Sequence, residues 1–413
     1  MSLVRLRFLS AGESHGPMLV GILDGMVAGL PLDIGAIDAQ LKRRMAGYGR
    51  GKRMKIESDA VNIVGGVRHG ETLGSPIAWL IENRDWPNWR EVMAIEAPKE
   101  QAVGGATAES GNRASDAAPS DRRVTRPRPG HADLVGGLKF DRGDLRDILE
   151  RASARETAVR VAAGAIARQF LDQLGIRVGS HVTRIGAASV PEDIGIEFEQ
   201  LDGVDDSPVR CADPVTAAAM VAEVDEAHDH LETLGGSFEL IAVGVPPGLG
   251  SHTQWDRRLE ARIAQAMLSI QAQKAVEVGP AIHCAASVGS DAHDAILPRD
   301  ESGAFVRPTN RSGGTEGGIT TGQELRVTVY MKPLATLRQP LPSVDIETGE
   351  SQNAVVQRSD VCAVPAAAVI GEAMLALVLA DACLEKFGGD SLRETKRNFA
   401  SYLQQTREFP PRG

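Results

Sequence analysis

SARETAVRVAAGAIARQFLDQLG, residues 153–175, is the stretch from which the fold class is read. Val159, Ala163, Ile166, Phe170 and Leu174 recur at helical spacing and put one apolar stripe along it. Ser153 and Glu156 form an S-x-x-E capping box ahead of that run, and Gly175 supplies a stop. The same logic predicts three more long helices. Asp213-Pro214 opens one with Met220, Val224, Ala227 and Leu231 on a face, closed by Gly235-Gly236. Asp256 caps a second with Leu259, Ile263, Met267 and Ile270, and Pro365 starts a third that ends at Gly388-Gly389. Ala36–Met45 reads as a short helix. Strands are expected at Leu3–Leu9, within Met18–Leu32, and at Val61–Val67, Ile77–Ile81, Ser237–Val245 and Glu324–Met331. Long helices and short strands mix without regular βαβ alternation, which points to an α+β fold. No linker interrupts the chain, so one domain is expected over residues 1–413. Residues 98–123, rich in Gly, Ala, Ser and acids without periodicity, read as a mobile surface insertion.

Composition narrows the function. Asp and Glu number 55 against 45 Lys and Arg, a net charge of −10 over 413 residues. Repulsion at long range then opposes non-specific binding to nucleic acid or an anionic membrane. Aromatic residues are few, at 4%, so the core must be aliphatic. Val361–Leu384 is the most apolar stretch, but Glu372 and Asp381 interrupt it and argue for a core helix over a membrane span. Cys211, Cys284, Cys362 and Cys383 form no CxxC pair, so neither a metal site nor a disulfide framework is indicated. The start of the chain has no long apolar region of the signal-peptide kind, and a cytoplasmic location is expected.

The positive charge is segregated. Lys42, Arg43, Arg44, Arg50, Lys52, Arg53 and Lys55 stand together without an acid, with glycines 47, 49 and 51 among them. Arg122, Arg123, Arg126 and Arg128 make a second cluster. Most such runs are solvated loops. Two of them framed by glycine and proline also suit a small polyanion, because guanidinium forks hold carboxylate or phosphate bidentately. Gly12-Glu13-Ser14-His15-Gly16 matches G-x-S-x-G in form only. Pro17 and an apolar segment follow where a nucleophile elbow needs a helix. What remains is a serine and a histidine in a glycine-flanked turn after a strand. His131, in Arg126-Pro127-Arg128-Pro129-Gly130-His131-Ala132-Asp133, is a second loop histidine beside arginine, suited to proton exchange with a phosphoester. Arg151, Ser153 and Arg155 surround a helix N-terminus, a favourable place for an anion. Glycines 313, 314, 317, 318 and 322 lead into a strand and offer a backbone cradle. From the residues alone, an enzyme on a small phosphorylated, carboxylated metabolite is indicated. An anion-binding, phosphosugar-metabolising transferase is the alternative.

Six segments in order resemble the chorismate synthase family: AGESHG (11–16), RRMAGYGRGKRM (43–54), RPRPGHAD (126–133), RASARETA (151–158), GGTEGGITTGQ (313–323) and RSDVCAVPAA (358–367). The resemblance implies elimination of phosphate and a hydrogen from 5-enolpyruvylshikimate 3-phosphate. The product is chorismate, at the last common step of aromatic amino-acid biosynthesis. It implies reduced FMN with no net redox change, a β-α-β sandwich with helices between antiparallel sheets, and a homotetramer. By the same resemblance, Arg44, Arg50, Arg128, Arg155 and Arg358 surround the substrate with His15. His15 protonates the leaving phosphate, and His131 manages the proton on the reduced flavin ring. Asp360, Ser14 and Ser153 relay the proton from flavin N5. Flavin contacts fall on Arg151, Ala152, Ser153, Gln271, Ala272, Gly317, Lys332, Pro333, Leu334, Ala335, Thr336 and Arg358. Arg44 and Arg50 are also candidate NADPH contacts, NADPH being the candidate reductant. They are assigned here to the substrate, whose anionic groups must be held in every turnover. Gln273-Lys274-Ala275-Val276-Glu277 and Gly279-Pro280-Ala281 depart from the family's usual Val-Lys-Gly-Val-Glu and Gly-Asp-Gly, and Ala152 replaces a frequent Ser.

Overall fold

A computed structural model describes residues 5–50, 59–97, 123–301, 303–356 and 360–410. The fold is α+β, helices combined with antiparallel sheets. One sheet holds β1 (Arg7–Ala11), β2 (Met18–Asp24), β3 (Asn62–Gly65) and β4 (Ile77–Glu82) in the order β1–β2–β4–β3. Leu19 and Leu23 of β2 and Ile77, Trp79 and Ile81 of β4 alternate inward, as the period of two requires. The other main sheet holds β5 (Arg177–Ile185), β6 (Gly236–Val243), β7 (Gln273–Val278) and β8 (Leu325–Met331). Its order is β7–β8–β6–β5, all antiparallel, with Ala188–Ser189 extending the β5 edge.

Eight helices matter for the site and core: α1 (Ile34–Met45), α2 (Asp133–Phe140), α3 (Arg146–Ala152), α4 (Thr157–Asp172), α5 (Pro214–Asp229), α6 (Leu259–Leu268), α7 (Val364–Phe387) and α8 (Leu392–Arg407). α4 touches β2, β5, α1 and α7, while α7 touches β5, β6, α1 and α6. The α4–α7 crossing is close because Gly164 faces Ala373, where an added Cβ would come within 2.3 Å of the Ala373 Cβ. α7 is long and apolar enough to cross a membrane by length and composition, yet its apolar window is wholly buried inside the fold. Its two buried carboxylates explain how. Glu372 accepts hydrogen bonds from Arg43, Arg168, Arg210 and Ser180. Asp381 accepts from the Arg5 and Leu6 amides and from Arg262.

That last contact corrects the first expected strand. The Arg5 and Leu6 amides go to a buried carboxylate, so pairing with β2 begins only at Arg7. The expected capping box is also absent in the form predicted. Ser153 caps a single 3₁₀ turn, Ala154–Glu156, through the Arg155 amide, while Glu156 turns to Gln271 and Arg160. α4 therefore starts at Thr157. Asp256 lies in a 3₁₀ turn, and the first amide of α6, on Leu259, goes to the Gly318 carbonyl instead. α5 stops at Asp229, short of Gly235-Gly236, because Leu231 takes a left-handed φ of 62° and the Glu232 amide returns to Ala227. Asp213 caps α5 and α7 spans Val364 to Phe387 as expected. The expected insertion at 98–123 falls, Arg123 apart, outside the described residues.

Candidate active site

β1 runs into the turn that carries Ser14 and His15. Gly12 has a φ of 103°, and a Cβ there would lie 2.4 Å from the Met18 carbonyl oxygen, so a side chain would block the turn. Helix α3 receives it. The Ser14 amide donates to the Glu150 carbonyl at 3.0 Å, and the His15 amide donates to Glu150 Oε2 at 3.0 Å. His15 Nδ1 lies 2.8 Å from Oε2 and 3.0 Å from Oε1 of the same carboxylate. Trp89 stacks on the imidazole at 3.7 Å between centroids. Asn83 donates to the Gly16 carbonyl at 2.9 Å and closes the turn from the β4 side. Ser153 Oγ donates to Ser14 Oγ at 3.2 Å.

Below this turn lies a pair of buried arginines. Arg44, near the end of α1, donates through Nε to Thr157 Oγ1 at 2.9 Å, through Nη2 to the Ala154 carbonyl at 3.1 Å, and through Nη1 toward Asp59 at 3.5 Å. Arg155 reaches the same Asp59 at 2.6 Å. Two guanidiniums thus share one buried carboxylate. Burying such charges is costly unless they are paired and held, so these side chains are fixed before any ligand arrives.

A third group surrounds His131. Its Nδ1 lies 2.5 Å from Asp133 Oδ1. Arg128 donates to Asp133 through Nε at 2.9 Å and to Thr336 Oγ1 through Nη1 at 2.9 Å. Burial alone would push the Asp133 carboxyl up, but the hydrogen bonds and charges of His131 and Arg128 hold it well below the usual carboxylate range. α2, which starts at Asp133, packs on α3, and so the two histidine turns rest on adjoining helices. Lys332 donates to the Gly130 carbonyl at 2.7 Å. Arg50 pairs with Asp360 at 2.8 Å.

The remaining predicted positions are placed as follows. Arg151 donates to Ser10 and to the Gly12 carbonyl, tying α3 to the end of β1. Ala152 ends α3. Gln271 donates to Glu156 at 2.8 Å, while its Oε1 is buried with no hydrogen-bond partner among the described residues. Ala272 has a φ of 66°, uncommon without glycine, and its carbonyl accepts the Lys332 amide at 3.0 Å. The Leu334 carbonyl accepts from Thr233, and Ala335 lines a small cavity with Arg128. Pro333 falls in the same segment, between Lys332 and Leu334. Gly317 turns between the short paired strands Thr315–Glu316 and Ile319–Thr320, with open space where a Cβ would stand. Of the Asp360–Ser14–Ser153 relay, the two serines are in contact and Asp360 stands at Arg50. Arg358 lies outside the described residues. No group of three or more His, Cys, Asp or Glu arranged to hold a metal occurs among the described residues.

Sequence reasoning missed Glu150, Trp89, Asp59 and Asp133. Asp133 stood within a quoted motif, two residues after His131. Glu150 immediately precedes another. Asp59 and Trp89 carry no local signal, since only tertiary packing brings them to arginine and imidazole.

Comparison with known proteins agrees over nearly the whole chain. The sequence model of the family described as chorismate synthase matches residues 6–384. A chorismate synthase of Symbiobacterium thermophilum is 52% identical over 404 residues, 97% of this chain and 99% of that protein. One of Thermobifida fusca is 54% identical over 401 residues, 96% of this chain and 98% of that protein. A crystal structure of chorismate synthase superposes with a TM-score of 0.77 at 41% identity, covering 99% of this chain and all of the other. The chain belongs to the chorismate synthase family.

Proposed function

We propose that the turn of Ser14 and His15, the Arg44–Arg155 pair and the Arg128–His131 group form one site for the family's reaction. That reaction is the anti-1,4-elimination of phosphate and a hydrogen from 5-enolpyruvylshikimate 3-phosphate, giving chorismate. The observation that carries this reading is the pairing of each loop histidine with a buried carboxylate beside pre-positioned guanidiniums. Arg44, Arg50, Arg128, Arg155 and Arg358 hold the phosphate and carboxylates. His15 gives a proton to the leaving phosphate. His131, held at Nδ1 by Asp133, handles the proton at the flavin ring. Ser14 and Ser153, already in contact, move a proton together with Asp360.

The residues present fit an FMN. Gln271 offers a buried acceptor with no partner among the described residues, and Gly317 leaves room for an approaching group. Lys332 to Thr336, with Arg151 to Ser153, Ala272 and Arg358, complete the proposed contacts. When bound, reduced FMN supplies electron density to the breaking C–O bond and accepts the departing hydrogen, with no net redox change. NADPH is the proposed reductant of the flavin, with Arg44 and Arg50 as alternative contacts for it.

The β-α-β sandwich is supported by α4, which touches β2 of one sheet and β5 of the other. A single domain is supported by one cluster of buried residues running from Leu6 to Leu392. A homotetramer would offer cover for Leu134, Val135 and Leu138, which are exposed together on one face of α2. A cytoplasmic location is supported by four unpaired cysteines. The test of the site is flavin binding. Oxidised FMN should bind weakly to the purified protein and much more tightly once substrate is present. An unchanged flavin spectrum on adding substrate would remove the flavin from this site.

A further inference from the structure

We infer that Glu150 is a positioning residue for His15: it holds the imidazole proton on Nδ1, so that Nε2 is the nitrogen that gives and regains the catalytic proton. The inference rests on the reading of His15 as the group that protonates the leaving phosphate. Glu150 is 1% exposed and sits in the last turn of α3. A carboxylate so buried is unfavourable unless hydrogen-bonded. Its shortest hydrogen bonds go to one residue. Oε2 accepts the His15 amide at 3.0 Å, and both oxygens lie within 3.0 Å of His15 Nδ1. The Glu150 carbonyl takes the Ser14 amide as well, so one residue grips two successive residues of the turn.

An ionised carboxylate can only accept hydrogen bonds. Nδ1 must therefore carry hydrogen whether the ring is charged or neutral, and the exchanging proton belongs to Nε2. The ring plane is fixed independently. Trp89 stacks on it at an interplanar angle of 27°, and Arg146 lies over the indole at 5.5 Å while reaching Glu150 at 3.4 Å. The imidazole is thus clamped at one edge and one face. The division of labour is that of a histidine oriented by a buried acid in acyl-transfer enzymes, applied here to a phosphate leaving group.

A structural role would be served almost equally by glutamine, which has the same shape and an acceptor oxygen. The positioning role would not, because a carboxamide can rotate, donate to Nδ1 and stabilise the wrong tautomer. The experiment uses the full-length protein with reduced FMN and substrate. Glu150→Gln should lower kcat on the order of 10–10²-fold, part of what a positioned acid–base group contributes, with KM within about twofold of wild type. Glu150→Asp, which keeps the charge, should recover part of that loss and covers the case in which the glutamine variant folds poorly. In ¹⁵N spectra of histidine-labelled protein, His15 should be the Nδ1–H tautomer in wild type and a mixture in Glu150→Gln. Glu150→Gln added to His15→Ala should lower the rate no further. Wild-type kcat in Glu150→Gln, or an unchanged His15 tautomer, overturns the inference while leaving His15 its role. Wild-type turnover in His15→Ala overturns the reading of His15 itself.

Discussion

Glu372→Gln removes the charge at the middle of α7, and the structure fixes what that should do. Arg43 donates to this carboxylate at 2.7 and 3.1 Å, Arg168 at 2.7 Å, Arg210 at 3.0 Å and Ser180 at 2.6 Å. Asp205 also pairs with Arg43 and Arg210, so the variant keeps three guanidiniums in this group with less negative charge to hold them. Burial pushes the Glu372 carboxyl up, but the charges of Arg43, Arg168 and Arg210 outweigh it and hold the group at about 2, against an ordinary 4.5. A difference of about 2.5 pH units corresponds to about 3 kcal/mol of folding stability. Breaking a buried ion pair by removing one partner costs about 3–5 kcal/mol, which agrees. Since the folded value lies below the unfolded one, this contribution is complete above about pH 4.5 and fades as pH falls toward 2. Urea unfolding of both proteins across that range measures it. The wild type should exceed the variant by about 3 kcal/mol at pH 7, with the gap closing through the acid range. A gap below about 1 kcal/mol at pH 7, or one that ignores pH, would refute the reasoning.

Two further outcomes concern the site. His15→Ala and His131→Ala should each lower kcat by roughly 10–10⁴-fold, as expected for acid–base groups, and near wild-type turnover in either would withdraw that histidine's role. Arg44→Lys should raise KM for the substrate and lower folding stability by about 1–3 kcal/mol. One ammonium cannot meet Thr157, Ala154 and Asp59 together. An unchanged KM in a stably folded Arg44→Lys protein would place the substrate elsewhere.

Periodicity made the helices legible. The stripes over Val159–Leu174 and Met220–Ala227, and the Pro365 start of α7, mark elements that pack on one face or on all sides. Their ends were less legible, because a tertiary partner took over the cap. The Gly318 carbonyl starts α6, and Gln271 draws Glu156 away from the cap of the turn before α4. β5 escaped notice because it is buried at Ser180, His181 and Val182 in succession, which erases the alternation of a half-buried strand. At the site, glycine, proline, arginine and histidine announce themselves by loop chemistry. The acids that hold them do not. Asp59 is distant in sequence from Arg155, and Glu150 from His15. An acidic net charge hides both, since only the fold says which acid is buried against which base.

The most direct measurement is a single anaerobic turnover of 5-enolpyruvylshikimate 3-phosphate by the purified protein with reduced FMN, following chorismate, phosphate and flavin together. Chorismate and phosphate should appear one for one while the flavin ends fully reduced. Phosphate without chorismate, no reaction at all, or one flavin oxidised for each product formed would contradict the central claim.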